Sequence, residues 1–191
     1  MLDQLIQLDT ELFIFLNGLG SETWDQFWLF YTNKLNWIPF YAVLGYLMFK
    51  RLNTKMFVLT LVVIVLMISF TDQGTNLFKN VLVKRLRPCH VPDIMDVMRL
   101  VRSWCGGQHG FFSGHSSNSM AIAIFSSLLL RDKYKYLPYV LVIWSLLMGY
   151  SRIYVGAHYP LDVLCGFIFG GLSGFGFYKL DKYLQSKFQL K

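Results

Sequence analysis

The feature that most limits what this chain can fold into is a succession of apolar runs separated by short polar joints. Met56 to Phe70 is almost wholly aliphatic, and Leu35 to Phe49, Ser116 to Leu130, Leu137 to about Tyr150 and Val163 to Tyr178 are apolar or aromatic. A soluble core has no room for so many unbroken runs. A bilayer does, because a helix satisfies its own backbone groups while its side chains meet lipid. A span needs about 20 residues, so each run must extend into flanking polar residues. The run from Met56 to Phe70 is expected to continue through Asp72 and Asn76 toward Asn80, with those polar groups facing other helices. Charged residues make up 15% of the 191-residue chain, against ~25% in a soluble domain. The expected fold class is therefore all-α: an integral membrane helical bundle of about five transmembrane helices.

The first residues differ. Leu2, Leu5, Ile6, Leu12, Phe13, Phe15 and Leu16 are interleaved with Asp3, Asp9 and Glu11. No run there is long enough to span, and an amphipathic helix in the membrane interface fits best. Trp24 to Tyr31 reads as a second short helix with interfacial aromatics. The division expected is an N-terminal amphipathic interfacial segment, 1–34, and a membrane domain, 35–191. Met1-Leu2-Asp3 opens without the basic start of a secretory signal.

Lys50–Lys55, Arg131–Lys135 and Lys179–Lys191 fall on one side of the expected membrane and hold ten of the eighteen Lys and Arg. Short basic linkers face the cytoplasm, which puts the 71–114 loop and His158 outside. The formal charge of +7 then points to anionic lipid or an anionic substrate. No nucleic-acid reader motif accompanies it. Cys89 and Cys105 share the outer loop. They can pair as a disulfide, remain free, or join His90 and His109 around zinc, although that spacing matches no common zinc pattern.

Three polar clusters cap three apolar segments on that same outer side. One is Lys79 to Pro88, with Lys84, Arg85 and Arg87. The second is Gly110-Phe111-Phe112-Ser113-Gly114-His115-Ser116. The third runs from Ser151 through Arg152, Gly156, His158 and Pro160 to Asp162. With Pro160 in the first turn of a helix, His158 and Asp162 can meet. A carboxylate on one ring nitrogen fixes the tautomer and frees the other nitrogen to attack. Arg152 and Arg87 offer planar forks for phosphate oxygens. Ser113-Gly114 precedes an apolar helix whose first backbone N–H groups can bind an anion, and Ser113 can also serve as its N-cap. Cations, backbone donors and two histidines together match phosphoryl transfer.

These residues resemble the type-2 phosphatidic acid phosphatase superfamily of lipid phosphatases, which also contains glucose-6-phosphatase and the vanadium haloperoxidases. Its pattern is Lys-x6-Arg-Pro, then Pro-Ser-Gly-His, then Ser-Arg-x5-His-x3-Asp. The third motif is complete from Ser151 to Asp162. The second holds at Ser113, Gly114 and His115, with Phe112 in place of Pro. In the first, Arg87-Pro88 is present, but Asn80 occupies the Lys position. Lys79 lies one residue further back, where a local helix distortion or a shifted reach of its long side chain would deliver it; Lys84 is the other candidate.

The resemblance implies an acid phosphatase/vanadium haloperoxidase-like core. It implies that His158 attacks phosphorus to give a phosphohistidine, that Asp162 orients His158, and that His115 protonates the leaving oxygen and then activates water. Arg87, Arg152, Lys79, Ser113 and Gly114 would hold the phosphate. No metal or other cofactor is implied, since the cations take the place of a divalent ion. The substrate class implied is a lipid phosphate or diphosphate, met in the membrane among other lipids. Undecaprenyl diphosphate is the first expectation, in a bacterial inner (cell) membrane with the site facing the periplasm or exterior. Phosphatidylglycerophosphate, phosphatidic acid and lipid A phosphates are the alternatives. A vanadate-dependent oxidase and a lipid-phosphate binding or transport protein without turnover are the rival classes. Oligomeric state is open.

Overall fold

The computed structural model describes residues 2–102 and 105–189. Helix α1 (Leu2–Gly18) and α2 (Glu22–Thr32) come first, then a 3-10 turn, Lys34–Trp37, leading into α3 (Ile38–Phe49). Helix α4 (Thr54–Leu77) continues into a π turn, Phe78–Leu82. After a long connection carrying the single-turn α5 (Pro92–Met95) come α6 (Gly114–Leu130), α7 (Leu137–Tyr154) and α8 (Pro160–Lys187).

Helix α4 shows how the apolar pattern is used. It is capped by Asn53, whose side chain accepts from Met56 N at 2.9 Å. Its buried face is Thr60, Val63, Met67, Thr71 and Thr75, while Val58, Leu61, Val62, Val65 and Leu66 point outward. A helix that turns threonines inward and branched aliphatics outward is built for lipid. Helices α4 with its π turn, α7 and α8 are long and apolar enough to cross a membrane. Helices α3, of 12 residues, and α6, of 17, complete the bundle.

The core of the bundle is α6 against α8. A Cβ on Gly166 would stand 2.7 Å from Ser113 O, and one on Gly174 would stand 2.5 Å from Ala121 O. Between them, Gly170 faces Ser117 O in the same way. The glycines step by four along α8 as Ser113, Ser117 and Ala121 step by four along α6. Two i±4 rows therefore lie together at backbone contact, which only glycine permits. Gly176 has nothing within 4 Å.

Two boundaries differ from the sequence reading. Helix α7 runs on to Tyr154, and α8 continues to Lys187 where a basic tail was expected after Tyr178. Asp181, the buried partner of Thr60 (3.0 Å) and Gln185 (2.7 Å), ties this last stretch to α4. An apolar-run count stops where polar residues begin, but a polar residue paired inside the bundle extends a helix as well as an apolar one.

The N-terminal helices dock on the bundle at the end where the motifs lie. Phe13 is fully buried, edge-on to Tyr159 with ring centroids 5.4 Å apart. Asn17, also fully buried, donates to Ile153 O and Tyr154 O and accepts from Arg99 N at 2.7 Å. Tyr31 donates to Trp144 O at 3.0 Å.

Candidate active site

The three motifs sit at the C-terminal end of α4, the N-terminus of α6 and the turn between α7 and α8. Each is placed by a local device that its own sequence supplies.

In the first motif the device is the π turn. Val83 N donates to Phe78 O at 2.9 Å, closing a five-residue step where an α-helix would close four. A π turn absorbs one extra residue, and one extra residue separates Lys79 from Arg87 relative to the family pattern. Lys79 consequently lines the cavity with Arg87, and its Nζ lies 3.6 Å from where a Cβ on Gly114 would be. Lys84 is exposed in the left-handed region (φ 51°) and is not among the residues lining that cavity.

Arg87 is held by the connection that follows. Its Nε donates to His109 O at 3.2 Å, its backbone N to Gln108 O at 3.0 Å, and Gly110 N donates to Arg85 O at 2.8 Å. Cys89 and Cys105 face one another with Cα atoms 6.1 Å apart, a disulfide separation. Gly106, left-handed at φ 93°, brings the backbone beside the Arg87 guanidinium. His90 converges with the two cysteines, whereas His109 does not join them.

In the second motif Ser113 is the N-cap of α6. It is fully buried, and its Oγ accepts from Ser116 N at 3.4 Å and Ser116 Oγ at 3.0 Å. Its own N–H is bonded to Asp162 O at 2.9 Å. Ser113 does not line the cavity, so its hydroxyl is committed to aiming the helix start, while Gly114 and His115 line the cavity. Phe112, in the usual Pro position, packs on Phe78 and Phe169 with centroids 5.2 and 5.0 Å apart.

In the third motif α7 ends in a Schellman turn. Gly156 is left-handed at φ 78°, its N–H reaches Ile153 O at 3.0 Å, and Ala157 N reaches Arg152 O at 2.9 Å. That turn folds His158 back over Arg152. Pro160 then starts α8, and Asp162 Oδ2 accepts from Tyr159 N at 3.1 Å. The same oxygen lies 3.4 Å from His158 Nδ1. His158 meets Asp162 from the extended residues before the helix rather than from one helical face.

Lys34, Asp72, Lys79, Arg87, Arg152 and His158 share a cavity of about 540 Å³ with Gly114, His115 and Asn118. Arg152, 3% exposed, donates through Nη1 to Thr32 of α2, and its buried Nε has no partner among the described residues. His158 Nε2 faces Arg87 Nη1 at 3.4 Å. Burial first, and then the Arg87, Arg152 and Lys79 charges, hold His158 well below the ordinary histidine range. The arrangement presents a neutral imidazole beside unsatisfied guanidinium donors, which is what an incoming phosphate requires.

Several residues escape sequence reasoning. Arg85 sits between two carboxylates, Asp9 of α1 at 2.7 Å and Asp162 at 3.2 Å, with its guanidinium 3.8 Å from the Tyr159 ring centroid. The Arg85-Leu86-Arg87 cluster marks Arg85 only as one basic residue among several. Nothing in the sequence links it to Asp9. Thr32 and Lys34 likewise reach the site from the N-terminal segment. Asp72 lines a cavity otherwise rich in cations, and Asn118 donates to it at 2.7 Å.

The profile of the PAP2 superfamily matches residues 54–186. The chain belongs to the PAP2 superfamily. Within it, the protein is 38% identical over 190 residues to a lipid A 4'-phosphatase of Bacteroides thetaiotaomicron, covering 99% of this chain and 84% of that one. A lipid A 4'-phosphatase of Porphyromonas gingivalis is 30% identical over 97% of this chain and 78% of its own. Among solved structures, a transmembrane PAP2 type phosphatidylglycerolphosphate phosphatase from Bacillus subtilis superposes with a TM-score of 0.73. It is 22% identical, with 94% of this chain and 87% of that one covered, so the shared fold is that of a PAP2 membrane phosphatase. This PAP2 protein is an integral membrane phosphoric ester hydrolase.

Proposed function

We propose that this protein removes a phosphate monoester from a lipid-borne saccharide of the lipid A type. The observation that carries the reading is the 38% identity to a lipid A 4'-phosphatase across nearly the whole chain. Undecaprenyl diphosphate, the first expectation from sequence, is less well supported: relatives so named match at lower identity or over a shorter stretch. The cavity adds a chemical argument. The Asp72 carboxylate repels phosphate, yet it accepts hydrogen bonds, and Asn118 is fixed beside it by Thr71 at 2.6 Å. Asp72 on α4 and Lys79 in the π turn that continues it are seven residues apart, about 10 Å along the helix axis. A saccharide has hydroxyl or amide donors to offer at that distance from its phosphate, whereas a polyprenyl chain has none.

In the catalytic cycle His158 Nε2 attacks phosphorus as the bond to the leaving oxygen breaks, and His115 delivers a proton to that oxygen. Asp162 stabilises the positive ring. Water, deprotonated by His115, then attacks the phosphohistidine and releases inorganic phosphate. Lys79, Arg87, Arg152 and the first N–H groups of α6 hold the phosphate oxygens. The Cys89–Cys105 bridge secures the connection around Arg87.

The basic linkers and the C-terminal end of α8 lie at the opposite end of the helices from the site. Read by the positive-inside rule, this supports a topology with the linkers in the cytoplasm and the site on the outer face of a bacterial inner membrane.

The test is phosphate release by the purified protein, with chelator present, from lipid A, undecaprenyl diphosphate, phosphatidylglycerophosphate and phosphatidic acid. Lipid A is expected to be the best substrate by kcat/KM, with the lost group located by mass spectrometry at the 4' position. Preference for undecaprenyl diphosphate would overturn the reading. In Asp72→Leu the lipid A rate should fall at least tenfold more than the rate on p-nitrophenyl phosphate, whose leaving group carries no donor.

A further inference from the structure

Asp9 lies in α1, upstream of the residues that match the family profile, yet it touches the charge network behind the nucleophile. Arg85 Nη1 makes a directional hydrogen bond to Asp162 Oδ1 at 3.2 Å. The same nitrogen stands closer, at 2.7 Å, to Asp9 Oδ2, which receives no directed hydrogen bond. That approach is one of opposite charges. The other Asp9 oxygen accepts from Leu161 N at 2.8 Å, in the first turn of α8. Asp9 and Asp162 are 6% and 0% exposed, and the Tyr159 ring covers the guanidinium. The two carboxylates are thus buried, with the Arg85 side chain, 18% exposed, held between them.

Charge balance decides what this trio does. Arg85 with Asp162 alone would be neutral. A neutral pair offers little to the positive charge that builds on the imidazole as Nε2 attacks phosphorus. With Asp9 the trio carries one net negative charge, and Asp162 Oδ2 presents it to His158 Nδ1 at 3.4 Å. Around carboxylates this buried the difference is screened less than it would be at the surface. We infer that Asp9 is a positioning residue for catalysis: it keeps Arg85 from cancelling the charge that Asp162 presents to His158, and it makes α1 part of the catalytic apparatus. Its bond to Leu161 N separately fixes the start of α8.

The inference rests on His158 being the nucleophile. Phosphate release that survives His158→Ala would remove that premise whatever Asp9 does.

Asp9→Asn separates the two roles of Asp9, because an amide oxygen still accepts from Leu161 N. In full-length protein in detergent, kcat should fall roughly 10- to 100-fold, by analogy with the outer partners that orient metal-bound histidines. KM and the thermal midpoint should stay near wild type. Glu11→Gln, on an exposed part of the same helix, should change nothing. The double variant Asp9→Asn/Arg85→Gln leaves Asp162 alone and negative, so its kcat should recover above that of Asp9→Asn.

The pH profile gives a second readout of opposite sign. His158 is faced by Asp162, by Arg85 and Asp9 behind it, and by Arg87, Arg152, Lys79 and His115 across the cavity. Losing the Asp9 charge should move the acid limb of kcat/KM to lower pH. A loosened, wetter site would move it up toward the ordinary histidine value. An unchanged kcat in Asp9→Asn, an acid limb moving upward, or a double variant slower than the single one would each overturn the inference.

Discussion

Arg87 Nη1 stands 3.4 Å from His158 Nε2, and that contact assigns the proton on the ring. A guanidinium has only donors, so the nitrogen it faces carries the lone pair. Nδ1 then carries the hydrogen and points at Asp162 Oδ2. This is the tautomer that a nucleophilic histidine needs, and it is present before substrate arrives. An arriving phosphate takes over the donors of Arg87 and exposes Nε2 to phosphorus.

The pH dependence follows from the same environment. His158 is held below its ordinary value of 6.5 by burial and by the surrounding cations. Its reactive form is neutral, so activity is present above the depressed value and is lost as pH falls through it. Stability moves the same way. Below pH 6.5 the unfolded chain takes a proton that the folded protein refuses, so this histidine makes folding less favourable as pH drops. An NMR titration of the His158 ring, which is independent of substrate ionisation, should show a midpoint below 6.5. A midpoint at or above that value would contradict the account.

Lys79 and Lys84 give a direct comparison of geometry with motif spacing. Lys79→Ala should lower kcat/KM by about 10²-fold, the usual cost of removing one preorganised donor to a reacting oxyanion. Lys84→Ala should stay within about twofold, since its side chain is exposed and outside the cavity. Kinetics on the two purified variants decide the matter; equal losses would mean the π turn does not set the site.

Much of this was legible in the sequence, for identifiable reasons. The apolar runs gave the helices, because lipid imposes a simple rule on side chains. Arg152, His158 and Asp162 were legible because a glycine turn and a proline fix their spacing locally. A helix distortion is one of the two routes the motif spacing leaves open for the displaced Lys79, and Phe78–Leu82 is such a distortion. Asp9, Thr32 and Lys34 were not legible. They enter the site through the docking of α1 and α2, and a contact such as Asp9 with Arg85 joins residues 76 apart with no local spacing to announce it. The extent of α8 was missed because Asp181 and Gln185 are polar in sequence and satisfied inside the bundle.

The glycine row on α8 should be intolerant where it meets α6 and tolerant elsewhere. Gly170→Ala puts a methyl group against Ser117 O and should destabilise by about 1–3 kcal/mol, the usual cost of overpacking. Gly176→Ala has open space and should be neutral or slightly stabilising. Thermal midpoints in one detergent would show the difference. A tolerated Gly170→Ala would mean that the two helices are not in backbone contact.

The central claim is that His158 carries the phosphoryl group. In His115→Ala, turnover of p-nitrophenyl phosphate still forms the intermediate, because that leaving group needs no proton, but water attack on it is slowed. Labelled substrate, quenched in base and followed by peptide mapping, should leave the label on the peptide containing His158, and the label should be absent in His158→Ala. Label on another residue, no bound label at all, or undiminished phosphate release by His158→Ala would contradict the account.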